Sequence, residues 1–444
     1  MATERQDWMH SGTYADSLRG FEERVCQLSG VAPEARRVLS LFSGCGGMDL
    51  GFEGGFIAYR RSVPHAWVDR EINARWVRVQ RCGFETVFAN DILPEAKATW
   101  CAYRARYGVD PGRYSLTSVV DLVKASRTGE RVFPEGVDVV TGGFPCQDFS
   151  VAGKRRGFDS MRAHDGKARS AELPSEETRG KLYYWMKQVI DCVKPKVFVA
   201  ENVKGLVSLG DAKAIIQRDF ASADDGGYLV LPPKVLQAAD YGVPESRERV
   251  IFIGVRRSAL TPEAVRALEA EVVPEDFDPY PLPTHGFTRQ GVGLLPPVTC
   301  RELFADLPEP EQAVDWSQQS YSKARYLGRQ CQGQAEVNPD GVGPTIRSEH
   351  HGNIEFRRLS AEHGGHWDWE LARGWLERRL TPRECALIQT FPPDHPFVLR
   401  RGEGAEYEVS PSGAYKVIGN AVPPVLAYAI ARRLSLVWPL YFGV

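Results

Sequence analysis

The sequence predicts an α/β fold on an open, mostly parallel sheet, and three stretches carry that prediction. Residues 37–42 (RVLSLF) are a short apolar run that leads into Ser43-Gly44-Cys45-Gly46-Gly47 and then Met48-Asp49-Leu50-Gly51-Phe52, the pattern of strand, glycine turn and helix. Residues 137–141 are a β-branched run that Gly142 and Gly143 are expected to end in a sharp turn, before Phe144-Pro145-Cys146-Gln147. Residues 196–200 are a further buried run, delivering Glu201-Asn202-Val203. Ligands of such sheets bind at the carboxyl ends of the strands, so a thiol held by a rigid proline and a carboxylate converge on one edge.

With 444 residues, 43% of them hydrophobic and 25% charged, the chain has an ordinary globular composition and room for roughly two or three domains. A formal net charge of -2 does not announce a polyanionic partner, although clustered arginines act locally. The nine cysteines form no C-x-x-C pair and no Cys/His ligand spacing, which points to reduced thiols, a cytoplasmic chain and no metal site. The first twenty residues lack a basic segment followed by an apolar core, and no run approaches the ~18 apolar residues of a membrane span, so export is not expected.

Residues 1–35 are polar, with one helix expected over residues 21–28 and no function assigned. After the glycine turn, a second strand ends in Thr86-Val87-Phe88-Ala89-Asn90-Asp91, which sets an acid beside that turn where a carboxylate can take both ribose hydroxyls of a nucleoside cofactor. The gap from the glycines to Asp91 exceeds the usual ~20 residues because of an insert, residues 60–81, with Trp67, Trp76 and several arginines. Surface elaboration and contact to a large substrate both fit that insert. A third strand is expected over residues 114–120.

Beyond Cys146, residues 154–177 carry Lys154, Arg155, Arg156, Arg162, Lys167 and Arg169 among glycines, the composition of a solvated loop or of one that closes on a polyanion. Residues 181–193 read as an amphipathic helix. Residues 229–237 and 250–255 read as the last two strands, joined so that one runs antiparallel to the rest. Arg247 and Arg249 share a face if that stretch is extended. From about Arg256 prolines cluster and periodicity fades, which marks a second, irregular domain. Its residues 320–328, 343–347 and 349–353 hold basic, histidine and small polar side chains suited to base edges and phosphates. Adjacent His350 and His351 lack the spacing of a helical zinc site. Residues 379–391 form a helix with Thr381 as N-cap, Pro382 in its first turn and Glu384 as capping partner. A turn at Gly419-Asn420 and a helix from the double proline at 423–424 then pack back on the first domain.

LFSGCGG, FAND, GGFPCQDFS, TRGKL, ENVKGL, ADYGVPESRERVIFIG, RRLTPRECALIQTFP and VIGNAVPPVLA occur in the order of the motif set of DNA (cytosine-5)-methyltransferases of the bacterial restriction-modification type, which the chain resembles over residues 38–431. The resemblance implies a class I S-adenosylmethionine-dependent methyltransferase fold, Rossmann-like with one antiparallel strand, over residues 1–255 and 413–444, interrupted by a target recognition domain over residues 256–412.

It also implies the chemistry. Cys146 adds as thiolate to carbon 6 of cytosine, so that carbon 5 attacks the sulfonium methyl. Glu201 quenches the ring charge by donating a proton near nitrogen 3, Arg249 holds the ring carbonyl oxygen, and Arg247 orients Glu201 and the base. The base must first be flipped from the duplex. Phe42, Gly44, Gly46 and Gly47 match the methionine-binding turn, Asp91 the ribose acid, and Ile92, Pro145, Leu182, Asn420 and Ala421 further S-adenosylmethionine contacts. Gln147, Ser150, Lys154, Arg155, Thr345 and Arg347 are the expected DNA contacts.

Three departures stand out. Glu245 occupies the glutamine position of Gln-x-Arg-x-Arg, Ser115 replaces an acid that touches adenine, and Ile92 replaces an aromatic residue. The partners implied are double-stranded DNA and a cognate endonuclease or defence system, with the enzyme a monomer. A silent DNA-binding relative and a transfer-RNA methyltransferase are the alternatives. A dehydrogenase fails because a Pro-Cys-Gln thiol has no role in hydride transfer.

Overall fold

The structure, a computed structural model, describes residues 35–145, 182–208, 211–288, 291, 293–348, 354–402 and 406–443. The helix expected over residues 21–28, the basic loop at 154–177 and the histidine pair lie outside them.

The core is an eight-stranded sheet of β1 (Arg36–Leu41), β2 (Phe84–Asn90), β3 (Tyr114–Ser115), β4 (Val139–Gly143), β5 (Val197–Val203), β6 (Tyr228–Val230), β7 (Lys234–Gln237) and β8 (Glu248–Arg256). Its order is β7-β8-β5-β4-β1-β2-β3, with β6 also on β8. β1, β2, β3, β4 and β5 pair in parallel, whereas β8 is antiparallel to β5, β6 and β7. The expected antiparallel strand is therefore β8, and residues 229–237 split into two strands rather than one.

Strands buried on both faces need apolar residues at every position, and alternate ones then serve opposite cores. Val38, Val139, Val199 and Ile251 join the cluster with α1 (Gly47–Glu53) and the C-terminal helix. Leu39, Val140, Phe198 and Phe252 join the other, with α3 (Val119–Arg127), α4 (Leu182–Val193) and α5 (Ala212–Ala221). Between α1 and α3, helix α2 (Pro94–Arg104) follows β2.

Residues 114–120 correct the expectation of a strand. Only Tyr114–Ser115 pair with β2; the Ser118 hydroxyl then accepts the Val120 N–H and starts α3. Gly142 and Gly143 do not turn the chain either, since both lie within β4. Gly419 and Asn420 end a helix, α7 (Pro411–Asn420), rather than forming a free turn. As expected, Thr381 and Glu384 form a capping box on α6 (Pro382–Ile388), and α8 (Pro424–Phe442) packs back on the sheet through α1.

The insert is a small antiparallel sheet of Ile57–Tyr59, Val68–Glu71 and Trp76–Val79 that braces two parts of the molecule. Trp67 packs edge-on against Tyr428 of α8 at 5.3 Å. On the other side Arg75 pairs with Asp306 and donates to the carbonyls of Glu302 and Leu303.

The stretch after β8 has few regular elements, because its prolines cannot donate to ladders. Its first part, with helix Pro262–Leu268, lies along α8: Arg433 donates to the Asp278 carbonyl at 2.7 Å, and Thr261 N–H to that of Tyr441 at 2.8 Å. Further on, Phe356–Arg358 pairs with Arg378–Arg379 directly before α6.

Candidate active site

The glycine turn is built by the end of β1. Phe42 adopts φ +52°, a conformation that costs an L-residue energy and concentrates at functional sites, and Gly44 follows at +55°. Three bonds hold the turn open: Ser43 N–H to the Asn90 carbonyl at 2.8 Å, the Tyr114 hydroxyl to the Gly44 carbonyl at 2.9 Å, and Gly44 N–H to Asp91 Oδ2 at 3.1 Å. Asp91 stands at the tip of β2, and its Oδ1 accepts the Leu93 N–H at 3.1 Å. Withdrawal from water pushes this carboxyl up from its usual range, against the pull of those N–H groups and of Lys416.

On the neighbouring strands, Glu201 and Arg249 project from the face that carries α1. Glu201 lies beside Gly143 of β4 and opposite Ile251 of β8, and Arg249 is two residues from Ile251. Arg249 Nε meets Glu201 Oε1 at 2.7 Å, with both side chains about nine-tenths buried. Gly143 leaves room for this approach, because a Cβ there would stand 2.9 Å from Glu201 Oε2 and displace the carboxylate. Asn202, which sequence reasoning passed over, donates from Nδ2 to the Phe144 carbonyl at 3.1 Å and ties down the segment that carries Pro145.

Both groups open on one cavity of about 900 Å³. Of the expected cofactor residues, Phe42, Gly44, Asp91, Ile92, Pro145, Leu182, Asn420 and Ala421 line it, and so do Glu201, Arg247, Arg249, Thr345 and Arg347. Gly46 and Gly47 do not. A Cβ on Gly46 would come 2.6 Å from the Trp100 indole, and one on Gly47 2.2 Å from the Val422 carbonyl, so packing explains Gly47, and packing together with a φ of +87° explains Gly46. Ser118 lines the wall, where the sequence pointed to Ser115. Cys146, Gln147, Ser150, Lys154 and Arg155 lie outside the described residues; Cys146 follows Pro145 directly in the chain.

Arg247 is anchored by partners that the sequence did not suggest. It precedes β8, and its guanidinium is committed elsewhere: Nη1 to Glu245 Oε1 at 3.3 Å and the Ile346 carbonyl at 3.0 Å, Nη2 to the carbonyls of Gly419 at 3.0 Å and Ala421 at 2.8 Å. Arg249 holds Glu201 directly. Lys416 also went unnoticed, though it stands four residues before Asn420, one helical turn along α7. Cys45 is no rival nucleophile, since burial pushes its thiol far above the usual range.

A parallel sheet closed by one antiparallel strand, with a strand-tip acid across a glycine turn, is the architecture of class I S-adenosylmethionine-dependent methyltransferases. Residues 36–436 match the family model of C-5 cytosine-specific DNA methylases, and the chain belongs to that family. It is 32% identical to the Type II methyltransferase M.BsuRI of Bacillus subtilis over 410 residues, covering 90% of this chain and 79% of that one. M.BspRI of Lysinibacillus sphaericus is also 32% identical, with 90% and 81% covered. Among solved structures, a methyltransferase of Entamoeba histolytica, EhMeth, shares the fold with a TM-score of 0.53 at 14% identity, covering 92% of this chain and 99% of that one. S. pombe Dnmt2 methyltransferase does so at 0.51 and 17%, with 91% and 99% covered. The protein is accordingly a DNA cytosine-5 methyltransferase, a family that implies S-adenosylmethionine as donor and DNA as substrate. Among the described residues no helix is long and apolar enough to cross a membrane.

Proposed function

We propose that this chain binds S-adenosylmethionine in the described cavity and methylates carbon 5 of a cytosine flipped from a short specific duplex sequence. We read it as a cytoplasmic monomer protecting DNA beside a cognate endonuclease; the names of its relatives, Type II methyltransferases, support the methylating part of that reading. The observation that carries this reading is the buried Glu201–Arg249 pair, which shares one cavity with Asp91 and with Pro145 beside Cys146.

The donor supplies an electrophilic sulfonium methyl. Its fit is supported by the Asp91 carboxylate, held at the strand tip for a ribose, and by a cavity large enough for a nucleoside beside a flipped base. Carbon 5 of cytosine is a weak nucleophile, so the Cys146 thiolate adds to carbon 6 and makes carbon 5 electron-rich. Glu201 moves a proton at ring nitrogen 3, and Arg249, fixed against it, donates a hydrogen bond to the ring carbonyl oxygen. With the methyl on carbon 5, the proton of that carbon passes to a base, the carbon 6–sulfur bond breaks, and Cys146 leaves as thiolate, which restores the ring double bond. Residues 256–412 form the target recognition region, of which the first part also braces α8.

Bisulfite sequencing of DNA from a methylation-free host expressing the chain, with Cys146→Ser in parallel, tests this reading. The expected result is protected cytosines in one short recurring sequence, absent with the variant, which still binds duplex. Turnover by the variant would remove the thiol from the mechanism. Unprotected DNA alongside a folded, cofactor-binding wild type would overturn the reading.

A further inference from the structure

Part of the cavity wall is formed by Thr345, Ile346 and Arg347, which belong to no strand of the described residues. They are attached to the stretch just before β8. Gly343 N–H donates to the Pro244 carbonyl and Ser246 N–H to the Gly343 carbonyl, each at 2.8 Å, so Gly343 bridges in parallel to Glu245. After that bridge the backbone pairing stops and side chains take over. Ile346 N–H donates to Glu245 Oε1 at 2.7 Å, and the Ile346 carbonyl accepts from Arg247 Nη1 at 3.0 Å. Both backbone groups of a buried residue are thus satisfied by one carboxylate and one guanidinium.

We propose that Glu245 is a positioning residue for the target strand of DNA: by holding the Ile346 N–H it sets where Thr345 and Arg347 stand on the cavity wall. The inference rests on the methyltransferase reading above. Glu245 occupies the position where the family pattern has glutamine, and the geometry explains why either residue serves. The bond needs an acceptor, which an amide oxygen also supplies, while Glu245 Oε2 is buried with no hydrogen-bond partner among the described residues. The work is divided between the two side chains. Glu245 touches the DNA-side segment, whereas Arg247 reaches both that segment and the carbonyls of Gly419 and Ala421 on the cofactor side.

The experiment is steady-state methyl transfer to a duplex carrying the cognate site, with duplex and donor varied separately, for wild type, Glu245→Gln, Glu245→Leu and Arg247→Met. Glu245→Leu should raise KM for duplex about tenfold, the cost of stranding the Ile346 N–H. Arg247 then loses its 3.3 Å contact to Glu245 but keeps the carbonyls of Ile346, Gly419 and Ala421, so kcat and KM for the donor stay within about threefold of wild type. Glu245→Gln should stay within about twofold for duplex, and Arg247→Met should raise KM for duplex and donor together. An unchanged KM for duplex in Glu245→Leu, or an equal rise for the donor, would overturn the proposal. Hydrogen–deuterium exchange of residues 343–348 in the wild type needs no variant: protection comparable to β8 is expected, and exchange at the rate of an exposed loop overturns the proposal even if Glu245→Leu does not fold. Absent turnover in the wild type would instead sink the methyltransferase reading.

Discussion

Gly143 shows what a single residue decides in this site. A side chain at this position would have to push the Glu201 carboxylate aside, because that carboxylate occupies the space a Cβ would need. The sequence suggests glycines that end a strand, and the structure shows one that continues it and yields room to a functional group. The clash would fall on the tip of a movable side chain, so the displaced partner is the acid and not the backbone. Gly143→Ala is therefore expected to lower kcat about a hundredfold, the usual penalty for an ångström-scale misplacement, with the melting temperature nearly unchanged. A variant with normal kcat would mean that Glu201 can work from another position. The same scale explains why Arg247 and Arg249 do not share one face of a strand. Spacing of two places residues on one face only within a strand, and β8 begins at Glu248.

At the scale of elements, the glycine turn depends on how α1 sits against α8. Gly51 is the contact point: a Cβ there would lie 2.4 Å from Ala427 Cβ and 2.7 Å from the Pro424 carbonyl. These are rigid helical atoms, so the helices would have to separate. Gly51→Val should destabilise the fold by about 1–3 kcal/mol in denaturant titration, and weaken cofactor binding because α1 carries the turn. Unchanged stability would show that the interface is slack. Element boundaries were readable where local chemistry sets them, as in the capping box of Thr381 and Glu384. They were misread at residues 114–120, where two valines favour a strand but the Ser118 cap and the buried pattern of Val119, Val120, Leu122 and Val123 make a helix.

For the molecule as a whole, the stretch from residue 309 to α6 is tied together by a buried ion-pair network. Arg378 binds Glu384 through two bonds of 2.8 and 2.9 Å and reaches Glu309 at 3.0 Å; Arg358 pairs with Glu309 and Glu370. Partial burial of Glu309 opposes its ionisation, but hydrogen bonds from Arg358 and Arg378 prevail and hold its carboxyl down at about 2 against an ordinary 4.5. A depressed carboxylate adds stability that is fully present above pH 4.5 and is lost as the pH falls toward 2. Acid unfolding should steepen in that window. Glu309→Gln should flatten the slope there and lower stability at neutral pH, because two buried arginines lose a partner. Equal slopes in the two proteins would show that other carboxylates govern acid unfolding.

The sequence by itself determined the strand order's raw material, the glycine turn, the strand-tip Asp91, the Glu201 edge and the helix caps. Each depends on residues within a turn or a strand of one another, where steric and hydrogen-bonding rules are local. Only the tertiary structure decided which glycines face the cavity and which serve packing, that Lys416 joins the wall, and that Arg247 grips Gly419 across 172 positions of chain. Those outcomes depend on which surfaces meet, and no spacing along the chain encodes the distance between segments brought together by a shared core.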